Sequence, residues 1–584
     1  MINKELSKIF NNMAVYLEMD EIPFKPQAYE KAAIAIEAMG ESAAKIYGKG
    51  GLKALEEISG VGKGIAEKIA EYIKTGKIKE YELLKKKMPV NLEELGVVEG
   101  IGPKKIKILY KKLGVKNIDD LEEAAKKHKI APLFGFGEKA EKNILEGIKF
   151  VRRGHGRFLL GEILPIARDI YAKLKEVRGV EKVDYAGSIR RMKETIGDID
   201  FLVISKDPEK VVNFFVKLPG VAKVWGRGKT KASARMKEGF DMDIRIIPPK
   251  SYGAALQYFT GSKEHNIALR KIAIDKGLKL NEYGLFKGSK MIITKAEKDI
   301  YKKLGMDWIQ QEIREDNGEI EAAIGKKLPE LIGLDDIKGD LHVHSDWNGG
   351  ENSIEEIAET AIKIGYEYIG ISDHTKFLKI ENGLDEKQLR KRNKEIEKLN
   401  SKWNKFGIGA SKTQNPKLKI LKGCEANIMA DGLVDIDDKT LAEMDFVIAG
   451  VHSHFKMSKE KMTERIIKAM ENENIDIISH PTGRIIGRRD EYQIDFDKIL
   501  KAAKKTKTIL EINAHPARLD LKDIYIKKAK EAGVKMIINS DAHHINELKL
   551  MEYGVAQARR GWAEKEDIIN CWGIEKLLNA LKKD

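Results

Sequence analysis

Asp198 and Asp200 stand two residues apart in Ile196-Gly197-Asp198-Ile199-Asp200-Phe201-Leu202-Val203. The apolar residues around them predict a strand. Strand side chains alternate between faces, so both carboxylates point the same way. Paired carboxylates on one face can hold two divalent ions a few ångströms apart, as phosphoryl transfer requires. Upstream, the Gly187-Ser188 turn offers backbone N–H groups and a hydroxyl to phosphate oxygens, and Arg190 and Arg191 add cationic donors. A third carboxylate should come from a neighbouring strand. Asp243 in Phe240-Asp241-Met242-Asp243-Ile244-Arg245 is the candidate, and Asp241, on the same face, is the runner-up. Aspartate disfavours strand interiors, so two in one strand call for metal binding or solvent exposure. An isolated Asp-x-Asp is a weak signal; combined with the Gly-Ser turn and the arginines it points to nucleotidyl transfer.

A second chemistry lies further along. Nine of the twelve histidines fall between 342 and 544, most of them at the ends of apolar runs: His342 and His344, His374, His452 and His454, His480, His543. Side chains at strand C-terminal ends converge at one mouth of a βα barrel. Joined by Glu425 and Asp541, they predict a multinuclear metal site, and mixed imidazole and carboxylate ligands suit Zn²⁺, Mn²⁺ or Fe²⁺ better than Ca²⁺.

The elements that must position these residues can be read from pattern. From Gly339 onward, strand-like runs such as Tyr368-Ile369-Gly370-Ile371 and Ile509-Leu510-Glu511-Ile512 alternate with helical patterns, which argues an α/β barrel. Residues 151–250 mix short β-rich and helical runs, and 251–315 read as helices plus a hairpin. The first 150 residues repeat an apolar-Gly-apolar-Gly motif at Gly60 and Gly62, at Gly100 and Gly102, and at Gly135 and Gly137, each followed by a helix-like stretch. Such turns bring backbone N–H groups at a helix N-terminus close to a phosphate. The third copy lacks a basic residue directly after its glycines and is expected to be structural.

At 584 residues the chain should hold about four domains. Its formal charge is +15; Lys+Arg minus Asp+Glu over residues 1–310 gives +18, so the remainder carries −3 by difference. A basic first half suggests a polyanion partner, with nucleic acid first. Two cysteines rule out a disulfide framework and fit a reducing cytosol. Met1–Asp20 reads as an amphipathic helix rather than a signal peptide, and no apolar run approaches the ~20 residues that span a bilayer. A cytoplasmic monomer is the expectation.

The Asp198–Val203 motif, the Asp243-Ile244-Arg245 strand and Tyr258-Phe259-Thr260-Gly261-Ser262 resemble a family X DNA polymerase, a relative of polymerase beta. The resemblance implies that Asp198, Asp200 and Asp243 bind Mg²⁺ or Mn²⁺ and that Asp243 assists deprotonation of the primer 3′-hydroxyl. It implies that Gly187, Ser188, Arg191 and Gly197 hold the triphosphate, that Tyr258, Phe259 and Gly261 contact the sugar, and that Asn266 and Arg270 face the minor groove of the nascent pair. Lys263 departs from the acidic residue of some relatives. The Gly-x-Gly repeats resemble helix-hairpin-helix DNA-backbone binders, with Gly60, Gly62, Gly64, Gly100, Gly102, Lys104 and Lys105 as DNA contacts. Phe24–Ala33 and Gly62–Ile69 resemble a polymerase lyase domain. Lys68 then falls on the Schiff-base position with Lys25 nearby, although Gly64 replaces an expected basic residue.

Residues 338–584 resemble the PHP (polymerase and histidinol phosphatase) domain. This implies His342, His344, His374, Glu425, His452, His480, Asp541 and His543 as ligands of up to three Mn²⁺ or Zn²⁺ ions. It implies His454 as an accessory group and Arg484 as a phosphate binder, with His515 and His544 as further candidates. Gly349 stands where the family places an aspartate ligand, so one metal is lost, weakened or held by Asp346, and Gly349→Asp should raise occupancy. The resulting fold class is multidomain α+β and α/β. It comprises a lyase-like helical domain (1–85), a helix-hairpin-helix domain (86–150), a nucleotidyltransferase palm with a mixed sheet (151–250), a small thumb-like α+β domain (251–316), a linker (317–337) and a distorted (β/α) barrel of PHP type (338–584). The function implied is gap-filling DNA polymerisation from dNTPs in repair, on gapped or primer–template DNA. Metal-dependent 3′–5′ exonuclease activity would accompany it, with abasic-site endonuclease activity as an extension. The alternatives are a polymerase whose PHP domain is only structural and a small-molecule phosphatase with a DNA-binding appendage.

Overall fold

The computed structural model describes residues 2–37, 42–58, 60–96, 98, 101–152, 156–292, 295–406 and 418–581. The chain folds as two compact units. One comprises Met1–Phe158, Lys237–Phe240 and Asn266–Lys279; the other comprises Leu159–Met236, Asp241–His265 and Leu280–Asp584.

The N-terminal 150 residues are helical. Helices Ile2–Met19, Lys25–Glu37, Ala43–Glu56 and Lys63–Thr75 enclose Leu6, Phe10, Met13, Ala32, Ile65 and Ile69. Helices Pro103–Leu113, Ile118–Lys126 and Glu138–Arg152 surround a second apolar cluster containing Ile106, Leu109, Leu121 and Ile144. Apolar residues at helical spacing supply one buried stripe per helix, and such helices are stable only when those stripes meet.

In the larger unit, a five-stranded sheet runs in the order Val180–Tyr185, Asp198–Ser205, Asp241–Ile246, Lys231–Met236, Val221–Arg227. The two central strands are parallel, and their register sets Asp198 opposite Asp241 and Asp200 opposite Asp243. The other pairings are antiparallel. Ile199, Phe201, Leu202 and Val203 are buried, so the apolar residues of the strand anchor the two aspartates between them. Helices Tyr252–Thr260 and Glu297–Lys303 and a three-stranded hairpin sheet follow.

The C-terminal part is a closed barrel of parallel strands. Gly339–Asp340, Tyr368–Ile371 and Lys419–Lys422 pair in sequence, as do Glu425–Asn427, Ile448–Gly450, Ile477–Ile478, Ile509–Asn513 and Met536–Asn539. The His374–Glu425 and Val343–Ala542 parallel bridges join the two runs and close the ring. Ser540 and Leu341 N–H add hydrogen bonds across that closing seam, to Asp340 and Asn539. Near-continuous burial along Tyr368–Ile371, Ile509–Asn513 and Met536–Asn539 is what parallel strands covered on both faces require.

The segment 317–337, read as a linker, is packed rather than tethering. Helix Glu319–Ile324 buries Glu319, which accepts hydrogen bonds from the Asp316 and Asn317 N–H groups and pairs with His265, and Ile332 sits in the barrel's apolar core. Its apolar residues find complementary surfaces that composition alone does not reveal.

Candidate functional sites

The palm site is built where the parallel register brings Asp200 and Asp243 side by side. Burial, then the negative charges of Asp198 and Asp243, push the Asp200 carboxyl up to about 7. Crowded carboxylates of this kind are relieved by a bound cation. Gly187 belongs to the same site. Its φ is +68°, and a Cβ there would stand 3.3 Å from Asp200 Oδ2, so a side chain would fill the space beside the carboxylates. Arg245 Nη2 lies 3.5 Å from Asp243 Oδ2, and its guanidinium lies over the Phe259 ring at 4.6 Å. Asp241 is otherwise engaged: Arg235 grips it through two hydrogen bonds of 2.8 and 2.9 Å, and Trp225 Nε1 donates to it at 3.2 Å. The neighbouring strands thus distinguish two aspartates that share a face.

The cationic residues of this loop divide in role. Arg190 donates to both oxygens of Glu297 at 2.9 and 3.0 Å and also bonds Thr260, so it fastens the palm to the helix Glu297–Lys303. Arg191 is nearly buried, donates Nε to Glu315 at 3.0 Å and reaches the Thr260 carbonyl. Gly261, with φ +71°, admits this approach, since a Cβ there would lie 3.0 Å from Arg191 Nη1. Ser188, Gly197, Tyr258 and Phe259 are half-buried, the two rings packing edge to face with centroids 5.2 Å apart. Asn266 and Arg270 lie one turn apart in helix Lys263–Asp275, where Arg270 Nε donates to the Asn266 carbonyl.

All three hairpin turns have open backbones, Gly135 and Gly137 of the third included. Gly62 and Gly102 are the N-cap residues of helices Lys63–Thr75 and Pro103–Leu113, with no side-chain cap, and Cβ atoms added at Gly62, Gly64 or Gly102 would meet nothing within 4 Å. Packing does not demand these glycines, and their open backbones leave room for close approach of another group. Gly60 needs its φ of +87°. Lys104 and Lys105 fall in the first turn of the second helix, and Gly100 lies outside the described residues. The third helix opens with Glu138 and Glu141, and buried Glu141 accepts the Ile130 and Ala131 N–H groups. An anionic first turn repels phosphate. Lys68 pairs with Glu80 at 2.9 Å. Burial works against its charge, but the Glu80 and Tyr29 contacts raise the ammonium above its ordinary value, the reverse of what a Schiff-base nucleophile needs.

At the barrel mouth three groups of potential ligands converge: His342, His344 and Asp541; His374, Glu425 and His452; and His344, His374 and His543. Glu425 is central. It lies 2.8 Å from His374 Nδ1, 3.3 Å from His342 Nε2, 3.3 Å from His452 Nε2 and 3.1 Å from His480 Nε2. His480 touches Glu425 but joins none of the three groups. Burial opposes ionisation of Glu425 and Asp541, yet the surrounding imidazoles, His342 foremost, hold both well below the usual carboxylate range.

On three of the histidines the second ring nitrogen is fixed. His342 Nδ1 meets Glu511 at 2.6 Å, His452 Nδ1 meets Asn427 Oδ1 at 2.8 Å, and His543 Nδ1 meets the Asp541 carbonyl at 3.0 Å. The inward atoms His342 Nε2, His344 Nε2, His374 Nδ1, His452 Nε2 and Glu425 Oε2 are buried without a hydrogen bond. Buried polar atoms left unsatisfied are costly, and this donor set fits divalent metal ions.

His454 is exposed, and the His544 and His515 rings accept local N–H groups from Asn546 and Ala517. Arg484 is buried, bonded to Glu194 at 2.7 Å and to the Leu519 carbonyl. Asp346 is in none of the ligand groups, and its carboxyl is raised by burial and the nearby Asp373 and Glu356 charges. Gly349 has φ +62°, and a Cβ there would lie 2.7 Å from Glu381 Oε2. Three positioning residues escaped the sequence reading: Glu511, Asn427 and Arg518, the last 3.6 Å from Asp541 Oδ2. The available signal for Glu511 was a charge inside the otherwise apolar run Ile509–Ile512.

Residues 255–315 match the DNA polymerase beta thumb, 1–78 a helix-hairpin-helix domain, 92–149 a SAM-like helix-hairpin-helix tandem and 340–515 the PHP domain. The chain is 39% identical over 589 aligned residues, covering 100% of each, to a Bacillus subtilis protein named DNA polymerase/3′-5′ exonuclease PolX. Shorter matches reach a probable phosphatase of Caldanaerobacter subterraneus, at 38% over 22% of this chain and 51% of that protein, and one of Thermoanaerobacter sp., at 33% over 35% and 78%. Because the likeness to PolX spans the whole chain, from the helix-hairpin-helix turns to the end of the barrel, the chain belongs to the PolX family of DNA polymerases, which join a polymerase beta-like core to a C-terminal PHP domain.

Proposed function

We propose that the chain extends primer 3′ ends across short gaps in DNA from dNTPs and trims 3′ ends in its barrel, acting as a cytoplasmic monomer. The observation that carries this reading is the pair of separate acidic centres on one chain: Asp200 beside Asp243 in the palm, and the histidine-rich groups around Glu425. Divalent ions, Mg²⁺ or Mn²⁺ in the palm and Mn²⁺ or Zn²⁺ in the barrel, supply charge stabilisation for the phosphoryl oxygens and lower the pKa of the attacking group. In the palm, Asp198, Asp200 and Asp243 hold those ions, and Asp243 receives the proton of the primer 3′-hydroxyl. The Gly187 backbone, the Ser188 hydroxyl and the Arg191 guanidinium orient the triphosphate, and Tyr258 and Phe259 wall the sugar. In the barrel, His342, His344, His374, Glu425, His452, Asp541 and His543 are the ligands, His480 hydrogen-bonds Glu425, and Glu511 and Asn427 aim His342 and His452. The Gly60–Gly64 and Gly102–Lys105 turns grip the DNA backbone.

Hydrolysis of a small phosphoester is the second reading for the barrel, favoured by the partial-length likeness to probable phosphatases. A labelled gapped duplex, incubated with and without dNTPs, tests both. Asp200→Asn should abolish extension and leave degradation; His342→Ala should do the reverse. Loss of both activities in folded Asp200→Asn would defeat the two-centre reading. Release of phosphate from a nucleoside monophosphate with no strand shortening would favour the phosphatase.

A further inference from the structure

We infer that Arg560, on the barrel's helix Met551–Arg560, is a positioning residue for the polymerase's nucleotide site. The inference rests on the reading of Gly187–Arg191 as the triphosphate cradle. The Arg560 side chain is 3% exposed and is held from the barrel side by Asp523, at the start of helix Asp523–Ala532. Its other bonds all go to the polymerase half. Nη1 donates to the Arg191 carbonyl at 3.0 Å, to the Glu312 carbonyl at 3.3 Å and to the Glu315 carboxylate at 3.1 Å.

Glu315 passes the constraint on. It accepts from Arg191 Nε at 3.0 Å and lies 3.3 Å from Lys193 Nζ. Arg560 therefore fixes Arg191 twice, through its main chain directly and through its guanidinium by way of Glu315. The far end of the same loop carries a second fastening, Glu194 to Arg484 of the barrel at 2.7 Å. Between the two fastenings Met192 has φ +50°, a conformation uncommon for residues other than glycine that needs surrounding structure to hold it. A buried guanidinium carries a desolvation cost, and apolar packing would join two domains at least as well. What Arg560 adds over apolar packing is directional: it sets the place of one arginine at the nucleotide site.

The test uses the full chain on gapped DNA. In Arg560→Met, the KM for dNTP and the Kd for dNTP on a dideoxy-terminated primer should rise about 10- to 100-fold, the worth of a hydrogen bond to a charged group. The kcat should change less than about twofold, and strand degradation without dNTP should stay at the unmodified rate. Arg560→Lys, which keeps the charge but not the branched geometry, should recover only part of the affinity. Asp523→Asn loosens Arg560 from the barrel side alone and should raise the dNTP KM by a smaller factor, which keeps the test decisive if Arg560→Met does not fold. Unchanged dNTP affinity in Arg560→Lys and Asp523→Asn, or parallel loss of both activities with an unaltered KM, would overturn the inference. An unmodified chain that incorporates no dNTP would instead defeat the reading of the palm.

Discussion

Lys68 illustrates how one neighbour decides whether a residue can act. Its amine is a nucleophile only when deprotonated, and the Glu80 carboxylate 2.9 Å away favours the ammonium. Abasic-site lyase activity should therefore be weak, and Glu80→Gln should raise borohydride trapping of the chain on abasic DNA several-fold, with Lys68→Ala abolishing it. Equal trapping by Glu80→Gln and the unmodified chain would remove Lys68 from that role. Gly349 makes the opposite point. An aspartate restored there would be forced into φ +62° with its Cβ 2.7 Å from the Glu381 carboxylate. We expect Gly349→Asp to cost about 1–2 kcal/mol of stability and to leave the metal content unraised, contrary to the sequence expectation. Denaturant unfolding and metal analysis of the same sample check both. The group His344, His374 and His543 has no carboxylate to balance a dication, so the last equivalent in a metal titration should bind most weakly.

At the scale of elements, the helix-hairpin-helix turns separate function from folding. Gly62 and Gly102 have φ of −85° and −94°, which any residue can adopt, and open space where a Cβ would go. Gly→Ala at such positions lowers the entropy of the unfolded chain, so stability should hold or rise by up to about 1 kcal/mol. A methyl group between backbone and phosphate should nevertheless weaken binding to gapped duplex, and more so in the Gly62→Ala/Gly102→Ala double variant. Thermal unfolding together with fluorescence anisotropy gives the comparison; undiminished affinity in the double variant would rule out phosphate contact at these turns. The palm strands show the complementary logic. Ile199, Phe201 and Val203 are buried on one face, and alternation therefore turns Asp198 and Asp200 together to the other.

Over the larger unit, buried ion pairs bind polymerase and barrel into one acid-sensitive body. Burial raises the Glu315 carboxyl, but Arg560, Arg191 and Lys193 outweigh it and hold the group at about 2. A carboxyl depressed in the folded state stabilises above its ordinary value and loses that contribution as pH falls through the folded value. The window is therefore from about 4.5 down to about 2, and the gap corresponds to about 3 kcal/mol. Glu315→Gln should be less stable than the unmodified chain at pH 7 by an amount of that order, with the difference constant above pH ~4.5 and shrinking below it. Urea unfolding at stepped pH measures the difference; a gap that does not narrow toward low pH would show that Glu315 is not the titrating group.

The sequence by itself determined which residues could do chemistry and which local element carries each. Alternation placed Asp198 and Asp200 on one face, glycine spacing placed the hairpin turns, and the histidines announced themselves at the ends of apolar runs, because these are short-range consequences of strand and helix geometry. The tertiary structure alone decided which partners those residues meet. Asp241 and Asp243 share a strand and a face, and only the neighbouring strand, bringing Arg235 and Trp225, occupies one and leaves the other beside Asp200. Glu511 looked like one more strand residue until barrel closure set it against His342. Arg484 meets Glu194 only because the loop before the palm strand reaches it, and the segment 317–337 looked like a linker until Ile332 entered the barrel core. Each of these outcomes depends on residues far apart in the chain, and pairing at that range is set by how whole elements pack, which no local pattern encodes.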